Sequence, residues 1–297
     1  AEEFLARERA AKARRIQVLD ALAPGRDAPR ARGRYYHESV ERLIRFVVPE
    51  GASVLDVGCS TGDLLAALRP RRGVGLDISP NMVDIARAKY PNLEFVTGDV
   101  EALDLDEKFD YVVVSDVVGL LDDVWAAFRA LHRVCHPGTR VIVTYYSRLW
   151  EPAVKLAEAI GKKMPGVEQN WLSMDDLRNL LDLAHFETIR SGTSLLFPVR
   201  VPLLSTLLNR HLVRLPILRS LGLVQFLVAR PIALKGAPRR EGTVTVLVPC
   251  RNERGNIRSV VARVPEMGLG TEILFVDGHS EDGTVEEIER HLALRPG

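Results

Sequence analysis

The feature that most constrains the fold is a regular alternation of short apolar runs and amphipathic stretches between Ser53 and Tyr145. Apolar runs of strand length, separated by stretches with helical spacing, predict a parallel sheet covered by helices. The run at 111–115 is unbroken, which is typical of a strand covered on both faces. The predicted strands are 53–57, 73–76, 93–96, 111–115 and 140–145, and the predicted helices are 63–68, 80–89 and 124–134.

The pattern continues past the fifth strand and then restarts. Helices at 152–163 and 173–183 and strands near 187–190 and 225–229 would complete a seven-stranded α/β sheet. We therefore divide the chain into several parts, the last of which is a partial second α/β unit. The parts are an N-terminal helical extension at 1–34, a main domain at 35–234, a linker at 235–242 and a second segment at 243–297.

A glycine-bearing turn joins the first strand to its helix. Gly58 and Gly62 allow a tight turn and remove the Cβ atoms that would keep a ligand from the backbone. The N–H groups that begin the helix then face that ligand. The next strand ends in Asp77, where a carboxylate can bind both hydroxyls of a ribose. A further acidic residue, Asp99, follows the third strand.

Together these motifs resemble class I S-adenosylmethionine-dependent methyltransferases, whose sheet is Rossmann-like and whose cofactor is S-adenosylmethionine. The resemblance implies that the turn wraps the methionine part and that Asp56 organises the site. It also implies that Asp77 binds the ribose and that Asp99 binds the adenine amino group. Ser60 stands where the family most often has glycine. The full set of implied cofactor-binding residues is Tyr36, Asp56, Gly58, Cys59, Ser60, Thr61, Gly62, Asp77, Ile78, Asp99, Val100, Glu101 and Ser115.

A nicotinamide-binding Rossmann domain is the natural rival, because its glycine-rich turn does the same physical work. It requires a G-x-G-x-x-G pattern, and residues 58–62 do not supply one. The methyltransferase interpretation is therefore the one we adopt.

The methyl acceptor is less well defined by the sequence. His37 is the candidate general base, and Tyr35, Tyr36, Tyr145 and Tyr146 are candidates to line the site. The fourth strand is not followed by the Asn/Asp-Pro-Pro-aromatic signature of many N-methylating enzymes. This favours O- or C-methylation of a small-molecule, glycan or lipid-linked acceptor.

An insert at 195–221 alternates apolar residues with arginines and prolines. It is interpreted either as a lid over the acceptor pocket or as an amphipathic element at a membrane surface. Both interpretations suit an apolar or lipid-linked acceptor.

The final segment resembles the start of an inverting GT-A glycosyltransferase of family 2. Its first strand ends in Pro249-Cys250-Arg251-Asn252-Glu253, and its second runs into Asp277 and a Ser-x-Asp-Gly-Thr turn. The resemblance implies a nucleotide-sugar donor bordered by Pro249, Arg251, Glu253 and Asp277. The family's metal-binding motif and base would lie beyond residue 297, so a bifunctional protein with an incomplete glycosyltransferase part is expected. The alternative is a non-catalytic cofactor-binding scaffold.

Composition narrows the remaining classes. Forty basic and 39 acidic residues give a formal net charge of +1, which does not indicate nucleic-acid binding through bulk charge. The 3 cysteines are widely spaced, which favours a reducing, cytoplasmic compartment. His132 and His136 stand one helical turn apart, but no third ligand is evident, so we predict no metal.

Overall fold

The computed structural model describes residues 2–27, 33–159, 170–199, 201, 205, 208–209, 221–232 and 242–293. The chain forms two compact units, one of residues 7–233 and one of residues 1–6 and 234–297. Most of the predicted insert at 195–221 and all but residue 242 of the predicted linker at 235–242 lie outside the described residues.

The larger unit contains a seven-stranded sheet in the order β3-β2-β1-β4-β5-β7-β6. Strands β1 to β5 are parallel, as the alternating pattern predicts. Strand β7 is antiparallel to both β5 and β6, a feature that the sequence did not specify. The strands are β1 Ser53–Val57, β2 Arg72–Asp77, β3 Glu94–Thr97, β4 Phe109–Ser115, β5 Cys135–Tyr146, β6 Phe186–Ser194 and β7 Val224–Pro231.

Helices cover both faces of this sheet, with α5 and α7 on one face and α2, α3 and α4 on the other. The helices up to residue 183 are α1 Glu2–Leu22, α2 Arg34–Val47, α3 Asp63–Ala67, α4 Pro80–Lys89, α5 Val124–Ala130, α6 Glu151–Ala159 and α7 Met174–Leu183. The 124–134 prediction is thus split, because the last turn is a 3₁₀ helix at Leu131–Val134. Each predicted strand and helix of the unit has a counterpart in the described residues, with ends shifted by a few residues; residues 160–163 of the predicted helix at 152–163 lie outside them.

Alternation along the central strands divides the core into two layers. Val112 and Val114 of β4 pack with Phe128 of α5 and Leu177 of α7, whereas Val113 packs on the opposite face with α2 and α4. All three valines of β4 are at most 2% exposed, as expected for a strand covered on both sides.

Two helix starts are capped by serine side chains. Ser79 accepts a hydrogen bond from the Met82 N–H, with Pro80 in the first helical turn of α4. Ser173 and Asp176 form a complete capping box at the start of α7. Each cap satisfies N–H groups that have no partner inside the helix, so each defines where its helix begins.

The smaller unit contains a parallel pair of strands, β8 Val244–Cys250 and β9 Thr271–Asp277. Two helices, α8 Arg254–Arg263 and α9 Thr284–Ala293, follow the strands and pack with them around Cys250, Ile257 and Ile288. The strand-helix order agrees with the partial second α/β unit that was predicted.

Candidate functional site

The carboxyl ends of β1, β2, β3 and β4 open onto one cavity in the larger unit. This is the edge at which parallel α/β sheets bind ligands, because the strand ends and the following helix starts leave backbone groups free there. The cavity is lined by 11 residues singled out from the sequence, namely His37, Asp56, Gly58, Cys59, Ser60, Asp77, Ile78, Asp99, Val100, Glu101 and Ser115.

The turn after β1 has the tight geometry that its glycines predicted. Gly58 has φ +71°, and a Cβ at this position would lie 2.0 Å from Cγ2 of Val117 in the loop after β4. Gly62 has φ +82°, and a Cβ there would lie 2.7 Å from the ring of Phe95. The two glycines therefore allow close packing of the turn as well as its left-handed backbone.

Asp77 fixes this turn through its carboxylate. One oxygen accepts the Ser60 N–H at 2.8 Å, and the other accepts the Ser79 N–H at 2.9 Å. Burial raises the pKa of Asp77, and the two backbone hydrogen bonds oppose that shift. Asp77 is 9% exposed and lines the cavity, so its remaining acceptor capacity is directed towards a ligand.

Three residues of the implied cofactor-binding set do not line the cavity, and neither do the candidate lining residues Tyr35, Tyr145 and Tyr146. Thr61 is 1% exposed and donates a hydrogen bond to Asp63, so it shapes the turn from behind. Gly62 lies beneath the Phe95 ring. Tyr36 is buried on α2, stacks on Tyr146 and donates a hydrogen bond to Asp116 at 2.7 Å.

His37, the candidate base, lines the cavity next to the edge of the Tyr36 ring. The structure also places Asp116 at the cavity, directly after β4. Asp116 has φ +57°, an uncommon conformation for a residue with a side chain and one that is enriched at functional sites. Asp116 was not among the site residues expected from the sequence.

The N-terminal helix also contributes to the cavity, which the sequence analysis missed. Lys12, Arg15 and Leu19 of α1 and Arg26 beyond it line the cavity opposite the strand ends. Lys12, Arg15 and Leu19 are spaced three and four residues apart, so they share one face of the helix. That spacing was visible in the sequence, but the many other charged residues of the segment obscured it.

Ion pairs hold α1 against the site. Lys12 Nζ lies 2.6 Å from Asp99 and 2.7 Å from Glu101, and Arg15 lies 2.7 Å from Asp122. Burial lowers the pKa of Lys12, but its hydrogen bonds and charge interactions with the two carboxylates outweigh burial and raise it. Asp20, nearer the end of α1, accepts hydrogen bonds from Ser79 Oγ and the Asn81 N–H.

The predicted nucleotide-sugar residues lie at the carboxyl ends of β8 and β9 and in the loop after β8. Pro249, Arg251 and Glu253 are exposed. Asp277 ends β9, and hydrogen bonds from Ser280 lower the pKa of its carboxyl group. The loops after β8 and β9 are linked to each other, since the Asn252 N–H donates to Ser280 Oγ at 2.8 Å.

The two histidines considered for a metal have other partners. His132 Nε2 lies 2.7 Å from the Ala184 carbonyl, and His136 accepts the Gly138 N–H at 3.0 Å. Among the residues that the structure describes, no group of three His, Cys, Asp or Glu side chains is placed to hold a metal ion. In the same part of the chain, every helix is too short or too polar to cross a membrane.

Two protein families match separate parts of the chain. Residues 54–138 match the family described as a methyltransferase domain. Residues 245–297 match glycosyl transferase family 2. The first match covers β1 to the start of β5 with the cavity residues of those strands, and the second covers β8 to the C-terminal end.

Curated relatives cover the first of these regions. The demethylmenaquinone methyltransferase of Chlorobaculum tepidum is 39% identical over 89 residues, which are 29% of this chain and 37% of the relative. The demethylmenaquinone methyltransferase of Bacillus licheniformis is 36% identical over 104 residues, or 32% of this chain and 45% of the relative. The chain thus spans less than half the length of these two relatives.

Solved structures share the fold over a longer stretch. A chain of the complex between the Haloferax volcanii Trm112 methyltransferase activator and a putative methyltransferase has a TM-score of 0.56 and 24% identity, covering 72% of this chain and 98% of that chain. A possible histamine N-methyltransferase from Thermotoga maritima has a TM-score of 0.58 and 17% identity, covering 73% and 99%.

These findings agree with the sequence motifs. The chain contains a class I S-adenosylmethionine-dependent methyltransferase domain, followed by the first part of a family 2 glycosyltransferase domain of the GT-A type.

Proposed function

We propose that the chain binds S-adenosylmethionine in the cavity at the ends of β1 to β4 and transfers its methyl group to a small-molecule acceptor. The observation that carries this proposal is the convergence of Asp56, Gly58, Asp77 and Asp99 on one cavity, although they come from three different strand ends. When bound, S-adenosylmethionine supplies an electrophilic methyl group.

The residues present fit this group chemically. The Asp77 carboxylate is the acceptor that a ribose diol requires, and Asp99 is an acceptor for an adenine amino group. Gly58 lines the cavity together with these carboxylates and the end of β4, so its backbone can border the methionine moiety. Cys59, Ser60, Val100, Glu101, Ile78 and Ser115 complete the walls.

The N-terminal helix would take part in binding. Lys12 holds Asp99 and Glu101, the two carboxylates proposed for the adenine end, and offsets their mutual repulsion. Asp20 holds the start of α4 next to Asp77 through Ser79. Methyl transfer then depends mainly on how these residues position two reactants, with proton removal where the acceptor is a hydroxyl.

For the acceptor we propose O- or C-methylation of a small molecule, a glycan or a lipid-linked compound. The curated relatives are named for demethylmenaquinone, which supports a small-molecule acceptor. We also propose that the chain joins methyl transfer to sugar transfer from a nucleotide donor, on the basis of the match at 245–297. We also propose a cytoplasmic location, which the three free cysteines support. If the acceptor is lipid-linked, the protein would work at the membrane surface.

The test is calorimetric titration of the full chain with S-adenosylmethionine and with S-adenosylhomocysteine. We expect micromolar binding, about −8 kcal/mol, and its loss in Asp77→Ala. That variant also leaves the Ser60 and Ser79 N–H groups without their partner, so its folding must be checked by circular dichroism and urea unfolding. Asp84→Ala on the exposed side of α4 is the matched control.

Two outcomes redirect the proposal. Absence of binding by the folded wild-type chain rejects it. Binding without turnover on any hydroxylated or lipid-linked acceptor favours the alternative, a cofactor-binding scaffold for the glycosyltransferase part.

A further inference from the structure

Asp116 lines the cavity at the opposite end of the row of strands from Asp99. The strand order across this part of the sheet is β3-β2-β1-β4. Asp99 follows β3 and Asp77 ends β2, whereas Asp116 directly follows β4. Neighbouring strands lie about 4.8 Å apart, so the ends of β2 and β4 are separated by about 10 Å of cavity floor, with the end of β1 between them.

The position of Asp116 is fixed from two sides. Its N–H donates to the Thr144 carbonyl at 2.8 Å, and its carboxylate accepts the Tyr36 hydroxyl at 2.7 Å. The Tyr36 ring is 6% exposed and stacks on Tyr146, so the donor is rigidly held. Burial, followed by the charge of Asp116, raises the pKa of Tyr36, so its hydroxyl stays protonated and neutral. This bond therefore orients the carboxylate of Asp116 without cancelling its charge.

The nucleoside part of S-adenosylmethionine has its proposed partners elsewhere in the cavity. Asp77 and Asp99 are the acceptors proposed for the ribose and the adenine, so this part would occupy the ends of β2 and β3. The sulfur atom is bonded to the ribose C5′, on the far side of the ribose from the adenine. It would therefore lie further along the row, towards the ends of β1 and β4, where Asp56, Ser115 and Asp116 line the cavity.

The two ends of the cavity carry different charges. At the β3 end, Lys12 forms ion pairs of 2.6 and 2.7 Å with Asp99 and Glu101. At the β4 end, the acidic residues Asp56 and Asp116 line the cavity. Asp56 is 2% exposed, whereas Asp116 is half-buried and more open to the cavity. A carboxylate in such a place attracts a positive charge more strongly than it would in bulk water, because water screens the pair less.

We propose that Asp116 distinguishes the sulfonium of S-adenosylmethionine from the neutral thioether of S-adenosylhomocysteine. In the transfer, an electron pair of the acceptor forms the bond to the methyl carbon, and the electrons of the carbon–sulfur bond return to sulfur. The sulfur loses its positive charge, so the attraction to Asp116 ends and departure of the product is favoured. Asp116 acts here as a specificity residue and exchanges no atoms. This inference rests on the proposed function, because it assigns a residue to the ligand of that same cavity.

The test is calorimetric titration of the full chain, wild type and Asp116→Asn, with three ligands. S-adenosylmethionine and S-adenosylhomocysteine differ only at the sulfur. Sinefungin carries a cationic amino group near that position and no transferable methyl group. We expect Asp116→Asn to lower the affinity for the two cationic ligands about 5–10-fold and to leave that for S-adenosylhomocysteine within about twofold.

Two further variants serve as controls. Asparagine has the shape of aspartate, tolerates the left-handed backbone and can accept the Tyr36 hydroxyl through its amide oxygen. Asp116→Ser takes its place if circular dichroism shows that Asp116→Asn is misfolded. Asp84→Asn removes the same charge from the exposed side of α4, and should leave all three affinities unchanged.

The outcomes separate this inference from the proposed function. If Asp116→Asn lowers the three affinities equally, or changes none of them, the charge of Asp116 does not discriminate between the ligands and the inference is wrong. The cofactor proposal would survive that result, because S-adenosylhomocysteine binding by the wild-type chain and its loss in Asp77→Ala test it independently. If the folded wild-type chain binds none of the three ligands, both are rejected.

Discussion

Lys12 in the N-terminal helix forms an ion pair of 2.6 Å with Asp99 after β3, a contact that spans 87 positions of the sequence. The same ammonium group lies 2.7 Å from Glu101. One side chain of an apparent extension therefore connects two carboxylates of the cofactor cavity, which makes α1 part of the site.

Replacing Lys12 by methionine removes this connection and keeps the apolar stem. We expect the unfolding free energy to fall by about 1 kcal/mol, since the pair is partly buried and has two acceptors. The difference should narrow as salt is raised, because screening weakens the interaction. Urea unfolding at low and high salt measures both effects. Arg34→Met, which breaks an exposed pair with Glu38, should change little; equal losses in the two variants would contradict the prediction.

Replacing Gly58 by alanine tests the tight turn after β1. The new Cβ would lie 2.0 Å from Val117 in a left-handed backbone, so we expect a loss of about 2–4 kcal/mol. Gly51→Ala isolates the backbone contribution, because Gly51 has φ +81° and nothing within 4 Å of a Cβ, and should cost only about 1 kcal/mol. Adding Val117→Ala should recover part of the Gly58→Ala loss. If the two glycine variants lose the same unfolding free energy, the close contact between residue 58 and Val117 does not contribute to the loss.

Replacing tyrosine by phenylalanine is expected to change stability in opposite directions at Tyr36 and Tyr145. Tyr36→Phe deletes a hydroxyl bonded to Asp116 and should lower stability by about 1–2 kcal/mol. Tyr145→Phe deletes a buried hydroxyl without a protein partner in the described part of the chain, and should leave stability unchanged or raise it by up to about 1 kcal/mol. Thermal and urea unfolding of both variants decide this. A clear loss in Tyr145→Phe would mean that the hydroxyl has a structural role.

The lowered pKa of Asp110 predicts that the stability of the folded chain depends on pH. The Ser53 N–H, then His136 and Arg71, lower the pKa of Asp110 in the folded chain. A lowered folded pKa means that the charged group favours folding above the unfolded pKa of about 4, and that this contribution is lost as pH falls through the lowered value. Asp110→Asn should therefore lower stability at pH 7 by less than about 1 kcal/mol, since the group is half exposed. The difference should shrink below about pH 4. Asp84→Asn is the control, and a difference that grows with acidity would refute the prediction.

Much of the architecture was predictable from local chemistry. The mainly apolar segment at 53–57 and the unbroken run at 111–115 indicate buried parallel strands, since strands covered on both faces have few positions that face water. The capping residues Ser79 and Ser173 mark helix starts because their hydroxyls satisfy nearby N–H groups within the same few residues. These interactions are short in sequence, so the sequence alone determined them.

Contacts between distant segments of the chain were decided only by the tertiary structure. The antiparallel β7 between β5 and β6, the position of Lys12 against Asp99 and the hydrogen bond from Tyr36 to Asp116 each join residues far apart in the chain. No local period encodes them, because they follow from how helices pack on the finished sheet. The buried hydroxyl of Tyr145 is the same kind of feature. Its residue type was visible in the sequence, but its lack of a partner emerged only when β4, β5 and the segment before α7 were brought together.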